Sequence, residues 1–410
     1  MSFITTSTPR HRISSEERKG RSGGAPNYRR RRILVAIGSV FLVLALIIGP
    51  SLVSALTNPS LGSGLNARFA EWARTHGANG FVNWAENIWY SHHAPPVGGK
   101  PAAGALRVPT RTRAAAGPAA ATVPAHLPAP APIQPLATPA LPGEGQWTPV
   151  GRLVGGIPAM YETRLRPDPI HTSLVVGVAW MDTKLLRATL YSGSFIPGGG
   201  PYRYTAPIGP NAATSLVAAF NAGFQLSASN GGYYTDGRLI APLRNGAASF
   251  VVYANGSCTV GAWGQNVTMT PTVVSVRQNL DLLVNNGQPV PGLNANDTTQ
   301  WGATLGDQVY VWRSGLGVTA NGALVYVGGP GLNITTLADL LVRAGAVRAM
   351  EMDINTDWVN LTTYDPSTPN GPATPANGTM MLPNMTGGTA RYFETWWSRD
   401  FITMSARPVG

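Results

Sequence analysis

The stretch "RSGLGVTANGALVYVGGPGLNITTLADLLVRAGAVRAMEMDINTDWVNL", Arg313 to Leu361, decides the fold class. A short strand after Arg313 meets Asn321-Gly322, a dipeptide that favours tight hairpins because both residues tolerate positive φ, and returns through Leu324–Val327. Thr336 reads as the cap of the next helix, with Asp339 three residues on and Leu337, Leu340 and Leu341 on one apolar stripe. Gly345 stops that helix. The chain then extends toward three acids, Glu351, Asp353 and Asp357.

Upstream, short apolar runs punctuated by Gly, Asn and Pro read as strands at Ser173–Asp182, Leu186–Gly193, Ser215–Phe224, Ala248–Gly256, Val273–Gly287 and Asp307–Thr319. A second short helix fits near Asn211–Leu216. Many strands and few helices predict an α+β domain over 147–410 on a mixed, mostly antiparallel sheet. No period of a repeat array is present.

The acidic end carries the candidate chemistry. Strand alternation puts Met350, Met352 and Ile354 on one face and Glu351 with Asp353 on the other. Two carboxylates so placed lie roughly 6–7 Å apart, a spacing that suits glycoside cleavage, a like-charge pair or a shared divalent cation. No cofactor motif accompanies them: P-loop, Rossmann, H-E-x-x-H and G-x-S-x-G patterns are all missing. Asn221 and Gly223 follow a buried-looking strand, where a turn presents backbone amides to a substrate oxygen. Cys258, the single cysteine, excludes an intramolecular disulfide and any multi-thiolate metal site, and reads as a small buried hydrophobe.

Three segments together resemble the phosphodiester glycosidases related to the mannose-6-phosphate uncovering enzyme. Ala219–Pro242, "AFNAGFQLSASNGGYYTDGRLIAP", is similar to that family's "NGGFF…G" loop. Trp312–Val327, "WRSGLGVTANGALVYV", is similar to its "RTAIG" hairpin, and Leu337–Asp353 to the helix and strand leading to "LDGGGS". The chain departs from that pattern with Ala222 in place of a glycine, and with Ile354-Asn355-Thr356-Asp357 where the family has Gly-Gly-Gly-Ser. The resemblance implies a hydrolase of sugar phosphodiesters. Asp353 would be its central carboxylate, Glu351 or Asp357 the partner, and Arg313 the phosphate contact. Asn221, Gly223, Arg238, Arg244 and Asn355 would line the substrate site. Because the leaving group is a phosphate, cationic stabilisation by guanidinium forks matters more than general-acid help. Ile354 cannot easily adopt the positive φ that a glycine run permits, which motivates a rival reading as a non-catalytic glycan-binding or envelope-assembly protein.

Charge is distributed unevenly. Residues 1–32 hold nine basic and two acidic side chains, whereas 147–410 hold fifteen against fourteen. The domain lacks the basic field that nucleic-acid backbones require, so a nucleic-acid partner is excluded. Arg29–Arg32 directly precede "ILVAIGSVFLVLALIIGPSLVSAL", and no charged side chain occurs between Arg32 and Arg68. Residues 33–56 are long enough to cross roughly 30 Å of hydrocarbon. The arginines keep residues 1–32 cytoplasmic as a basic tail and place the remainder outside, as a single-pass signal-anchor. A signal cleaved after Ala55 is the competing reading.

Residues 57–93 read as juxtamembrane amphipathic helices, with Phe69, Trp72 and Ala73 on one face and Val82, Trp84, Ile88 and Trp89 on another. Residues 94–146, rich in Ala and Pro, read as a disordered, semi-rigid linker reaching on the order of 100 Å. The expected protein is a membrane-anchored, extracytoplasmic hydrolase whose partner is a cell-envelope glycan or glycan-phosphate.

Overall fold

A computed structural model describes residues 28–58, 61–62, 64–78, 80, 82, 94–109, 124–297, 300–302, 308–368 and 370–408. The chain forms two compact units, Met1–Ser54 and Ala55–Gly410. Helix α1, Tyr28–Thr57, includes the apolar run. Its stretch Arg31–Thr57 is long and apolar enough to cross a membrane, a property that an anchor and an export signal share. The basic tail up to Asn27, and Trp84, Ile88 and Trp89 of the expected second amphipathic helix, lie outside the described residues. Helix α2, Leu65–Thr75, buries Ala73.

Three antiparallel sheets build the second unit. The large one runs β1 (Thr148–Pro149), β4 (Met160–Leu165), β5 (Val176–Met181), β16 (Leu324–Leu332), β15 (Val311–Thr319), β17 (Ala346–Glu351), β13 (Leu282–Asn285), β14 (Gln288–Pro289). A second runs β11 (Cys258–Ala262), β10 (Ala248–Tyr253), β12 (Val273–Gln278), β8 (Tyr233–Thr235), β9 (Arg238–Ala241). A third runs β19 (Gly378–Met380), β18 (Leu361–Tyr364), β7 (Leu216–Asn221), β20 (Phe401–Ala406), β6 (Leu186–Tyr191). A small hairpin joins β2 (Leu153–Val154) to β3 (Ile157–Pro158).

Both faces of the large sheet are covered, which is why its central strands are apolar without alternation. One face contributes Met160, Met181, Leu316 and Met350 to a core shared with Phe220, Phe250, Ile402 and Met404 of the smaller sheets. The other places Val178, Val325 and Ala349 against Leu337, Leu340 and Leu341 of the long helix Ile334–Arg343. That helix is α4; the short α3 covers Pro210–Ala213, close to its expected place. Asn333, not Thr336, caps α4: the Asn333 carboxamide oxygen accepts from the Thr336 N–H at 2.8 Å, so Thr336 is the third helical residue. The β15–β16 hairpin turns where expected, with Gly322 at φ +89.

The expected linker is the clearest correction. Residues 94–109 and 124–146 lie along the domain, with Val108, Leu127, Ile133 and Ala137 buried. Glu144 and Arg166 form a buried ion pair at 2.8 Å, and the same guanidinium donates to the carbonyls of Ala137 and Pro139. Arg164 donates to Ala105 O, and Asp182 accepts from Leu127 N at 2.6 Å. Gly145, at φ +75, brings its backbone against the Ile133 carbonyl, where a Cβ would fall 1.9 Å from the oxygen. An extended Pro-rich chain leaves its backbone groups unpaired. Here arginines and acids of the sheet pair them, so the strap needs no core of its own.

Candidate active site

The three sheets converge where β17 ends, β15 and β20 begin, and β7 and β12 finish. The backbone ladder continues past β17: Met352 N donates to Ser314 O and Ser314 N to Asp353 O, both at 2.8 Å. Asn279, just after β12, ties the junction together. Its Nδ2 donates to the carbonyls of Glu351 (2.9 Å) and Met352 (3.1 Å), while its Oδ1 accepts from Phe224 N at 3.1 Å. Gly223 makes this contact fit, since a Cβ there would sit 3.0 Å from Asn279 side-chain atoms.

Glu351 and Asp353 stay close enough for the charge of Asp353 to add to the upward push of burial on the Glu351 carboxyl, but the two sit in different settings. β17 stops at Glu351, and the alternation breaks with it: Met350 and Met352 join the first core, whereas Ile354 packs against the second. Glu351 is fully buried and paired with Arg313 at 2.6 Å. Arg313 also donates to Leu332 O and Trp301 O, each at 3.1 Å. Its Nε and Nη1 are thus engaged inside the protein, in place of the phosphate contact expected for Arg313. Burial pushes the Glu351 carboxyl up to about 7 despite that arginine.

Asp353 is buried at the junction itself, 4% exposed. Its Oδ1 accepts from Asn355 N at 2.9 Å. Burial pushes this carboxyl up to about 6, while Arg399 and the amides of Asn355 and Ile354 favour its ionised form. Asn355 is exposed, and its Oδ1 accepts from Asp357 N at 2.8 Å. Asp357 is half-buried, and its carbonyl accepts from Arg391 at 2.7 Å.

Asn221 is a brace rather than a free recognition group. Its Oδ1 accepts from Tyr326 Oη (2.7 Å) and Asn360 N (3.2 Å), and its Nδ2 donates to Ser314 Oγ (3.1 Å) and Ala222 O (2.9 Å). All four of its hydrogen-bonding positions are filled. Arg238 and Arg244 are engaged elsewhere: Arg238 donates to the carbonyls of Gly199 and Pro201, and Arg244 pairs with half-exposed Asp281.

Four charged residues missing from the sequence reading stand around the junction instead. Arg277 pairs with Asp400 at 2.6 Å with both side chains fully buried, and also donates to Phe224 O. Arg399 stacks on Trp358, its guanidinium carbon 4.5 Å from the ring centroid. Arg391 stacks on Trp397 at 4.6 Å and holds Trp358 O at 3.2 Å. The two indoles meet edge to face at 5.4 Å. Only the Trp396–Asp400 run, two indoles followed by an Arg-Asp pair before a strand, gave a signal for them. Among the described residues no group of three or more His, Cys, Asp or Glu side chains is placed to hold a metal ion.

Residues 214–353 match the family model described as NAGPA, phosphodiester glycosidase. That span contains the junction from Asn221 through Asp353 and ends before the Trp358–Asp400 cluster. No curated protein matches the chain. Among solved structures it is similar to the zebrafish N-acetylglucosamine-1-phosphodiester alpha-N-acetylglucosaminidase catalytic domain, described as auto-inhibited by its pro-peptide. That likeness has 13% identity over 64% of this chain and 88% of that one, with a TM-score of 0.38. A hypothetical protein from Synechocystis (13% identity, 62% and 63% of the two chains, TM-score 0.34) and a putative exported protein from Burkholderia pseudomallei K96243 (12%, 57% and 74%, TM-score 0.30) are also similar.

Proposed function

We propose that this protein, which carries a phosphodiester glycosidase segment over 214–353, hydrolyses the bond between a sugar and a phosphodiester in a cell-envelope glycan. In this reading α1 holds the enzyme at the membrane with its second unit outside the cytoplasm. The observation that carries the chemistry is Asp353, a buried carboxyl raised to about 6 beside the Arg399 guanidinium. A carboxyl so raised keeps its proton at mildly acidic pH. It can then donate to the departing phosphate oxygen, and it adds no repulsion to the incoming anion. Once ionised, it faces the positive charge that develops on the sugar ring. Glu351 supports this site from behind through Arg313 rather than sharing the reaction.

The test is release of reducing sugar from a panel of glycosyl phosphodiesters by the purified protein and by Asp353→Asn. Turnover in the wild type, lower in the variant by on the order of a hundredfold, is expected for a lost acid or charge-stabilising role. No turnover on any diester, with measurable glycan affinity, would replace the hydrolase by a glycan-binding protein on the same fold. The Ile354–Asp357 segment, which lacks the family's glycines, is what keeps that second reading in play.

A further inference from the structure

Arg399 lies at the end of a ladder that fixes it firmly. Trp358 underlies its guanidinium, Trp397 packs on Trp358, and Arg391 both stacks on Trp397 and holds the Trp358 carbonyl. The loop carrying Arg399 is pinned from the other side. Ser194 N donates to Trp397 O at 2.8 Å and Ile196 N to Ser398 O at 2.8 Å. Gly193 permits this approach, since a Cβ there would fall 2.2 Å from Ser398 O. A guanidinium held this tightly loses little freedom when it binds, which is the arrangement of a preorganised recognition group.

Four polar atoms of this cluster are buried without partners, Arg391 Nε and Trp397 Nε1 in the ladder and, at its end, Arg399 Nη1 and Asp400 Oδ1. The last two bear on binding. They belong to adjacent residues and are opposite in charge, yet they do not pair. Asp400 turns its other oxygen to Arg277. A buried donor left unpaired is costly, and it persists where a ligand supplies the acceptor. With Asp353 protonated, Arg277 and Arg399 stand against Asp400 and Glu71, so the junction carries no surplus negative charge to repel an anion that meets the unpaired Nη1.

We propose that Arg399, outside the segment matched to the glycosidase family, is the phosphate contact of this site, its free Nη1 donating to a non-bridging oxygen while Trp358 holds the fork in place. The proposal rests on the phosphodiester glycosidase reading for the identity of the substrate, but its own content is phosphate binding through one guanidinium. Glu71 of α2 adds a negative charge near Arg399. It also accepts from Gln225 Nε2 at 3.2 Å.

Calorimetric titration of the full-length protein in detergent with inorganic phosphate, at pH 5 and low salt, tests this without any need for turnover. Arg399→Gln should weaken phosphate binding roughly tenfold or more, the scale of one charge-assisted hydrogen bond. Arg244→Gln, which removes a guanidinium engaged elsewhere, should not. Millimolar methylguanidine should restore part of the lost affinity in Arg399→Gln, a rescue that a purely structural arginine would not show. If Arg399→Gln does not fold, Arg399→Lys decides. It keeps the charge without the fork, and should bind phosphate several-fold more weakly at an unchanged melting temperature. Equal affinity in wild type and variant, or no phosphate binding by the wild type, overturns the assignment. Phosphate binding that depends on Arg399 in a protein with no turnover would sustain the contact and sink the hydrolase reading. Full hydrolysis by Arg399→Gln would do the reverse.

Discussion

Arg313 and Glu351, on neighbouring strands β15 and β17, meet at 2.6 Å with both side chains withdrawn from solvent. Removing one partner of such a pair leaves a buried, uncompensated charge. Glu351→Gln should therefore cost on the order of 3–5 kcal/mol of unfolding free energy in a denaturant titration. Turnover per folded molecule should change by less than about tenfold, against the hundredfold scale expected for a residue of the reacting centre. A loss as large as that of Asp353→Asn, with stability intact, would return Glu351 to the reaction.

Asn279 predicts a different signature. Asn279→Ala leaves Phe224 N and the carbonyls of Glu351 and Met352 without their side-chain partner. A few kcal/mol of stability, roughly 2–4, should be lost. Amide exchange should quicken first at Phe224. Exchange rates unchanged there would mean that the loop is held by other contacts.

The hairpin, α4 and the antiparallel class were legible in the sequence because each rests on local pattern: a turn dipeptide, a leucine stripe, a stopping glycine. The end of β17 was not, since the break of alternation after Met352 is imposed by Ser314 and Asn279 from other strands. Nor were Arg277, Arg399 and Asp400. Arg277 lies 123 positions before Asp400 along the chain, and only packing of the sheets brings it to the Arg399-Asp400 pair. The strap over 124–146 was misjudged for a related reason. Composition counts apolar residues, whereas the strap is held largely by its backbone groups and by Glu144.

Glu144 is the handle on that strap. Glu144→Ala strands the Arg166 guanidinium in a dry setting and should lower stability by roughly 3–5 kcal/mol. Protease should then cut within 124–146 well before the sheets unfold. A free spacer would show neither effect, so an unchanged melting temperature would reinstate it.

Topology follows from α1 and the arginines ahead of it. A reporter fused after Gly410 should be active outside the cytoplasm and a tag at Ser2 protected inside. Protease added to intact cells should remove the C-terminal unit. Its survival would reverse the orientation.

Asp353 links function to stability through pH. Its folded value near 6 lies above the roughly 3.9 of an unfolded aspartate. The native state therefore holds the proton more tightly than the unfolded chain does between about pH 4 and 6. Stability falls as pH rises through that window and levels off above it, because there both states are ionised. The two-unit gap corresponds to at most roughly 3 kcal/mol. Asp353→Asn carries no titrating proton and keeps an oxygen for the Asn355 amide. Relative to wild type it should gain stability as pH climbs from 4 to 6, and keep that gain at pH 7. The same substitution should lose activity most strongly below pH 6, where the wild-type carboxyl is protonated. A group that is destabilising when charged, yet needed for turnover, is what a site shaped for chemistry rather than for folding would contain. Parallel pH–stability curves for the two proteins would show that Asp353 has an ordinary acidity and would remove it from the proton-donating role.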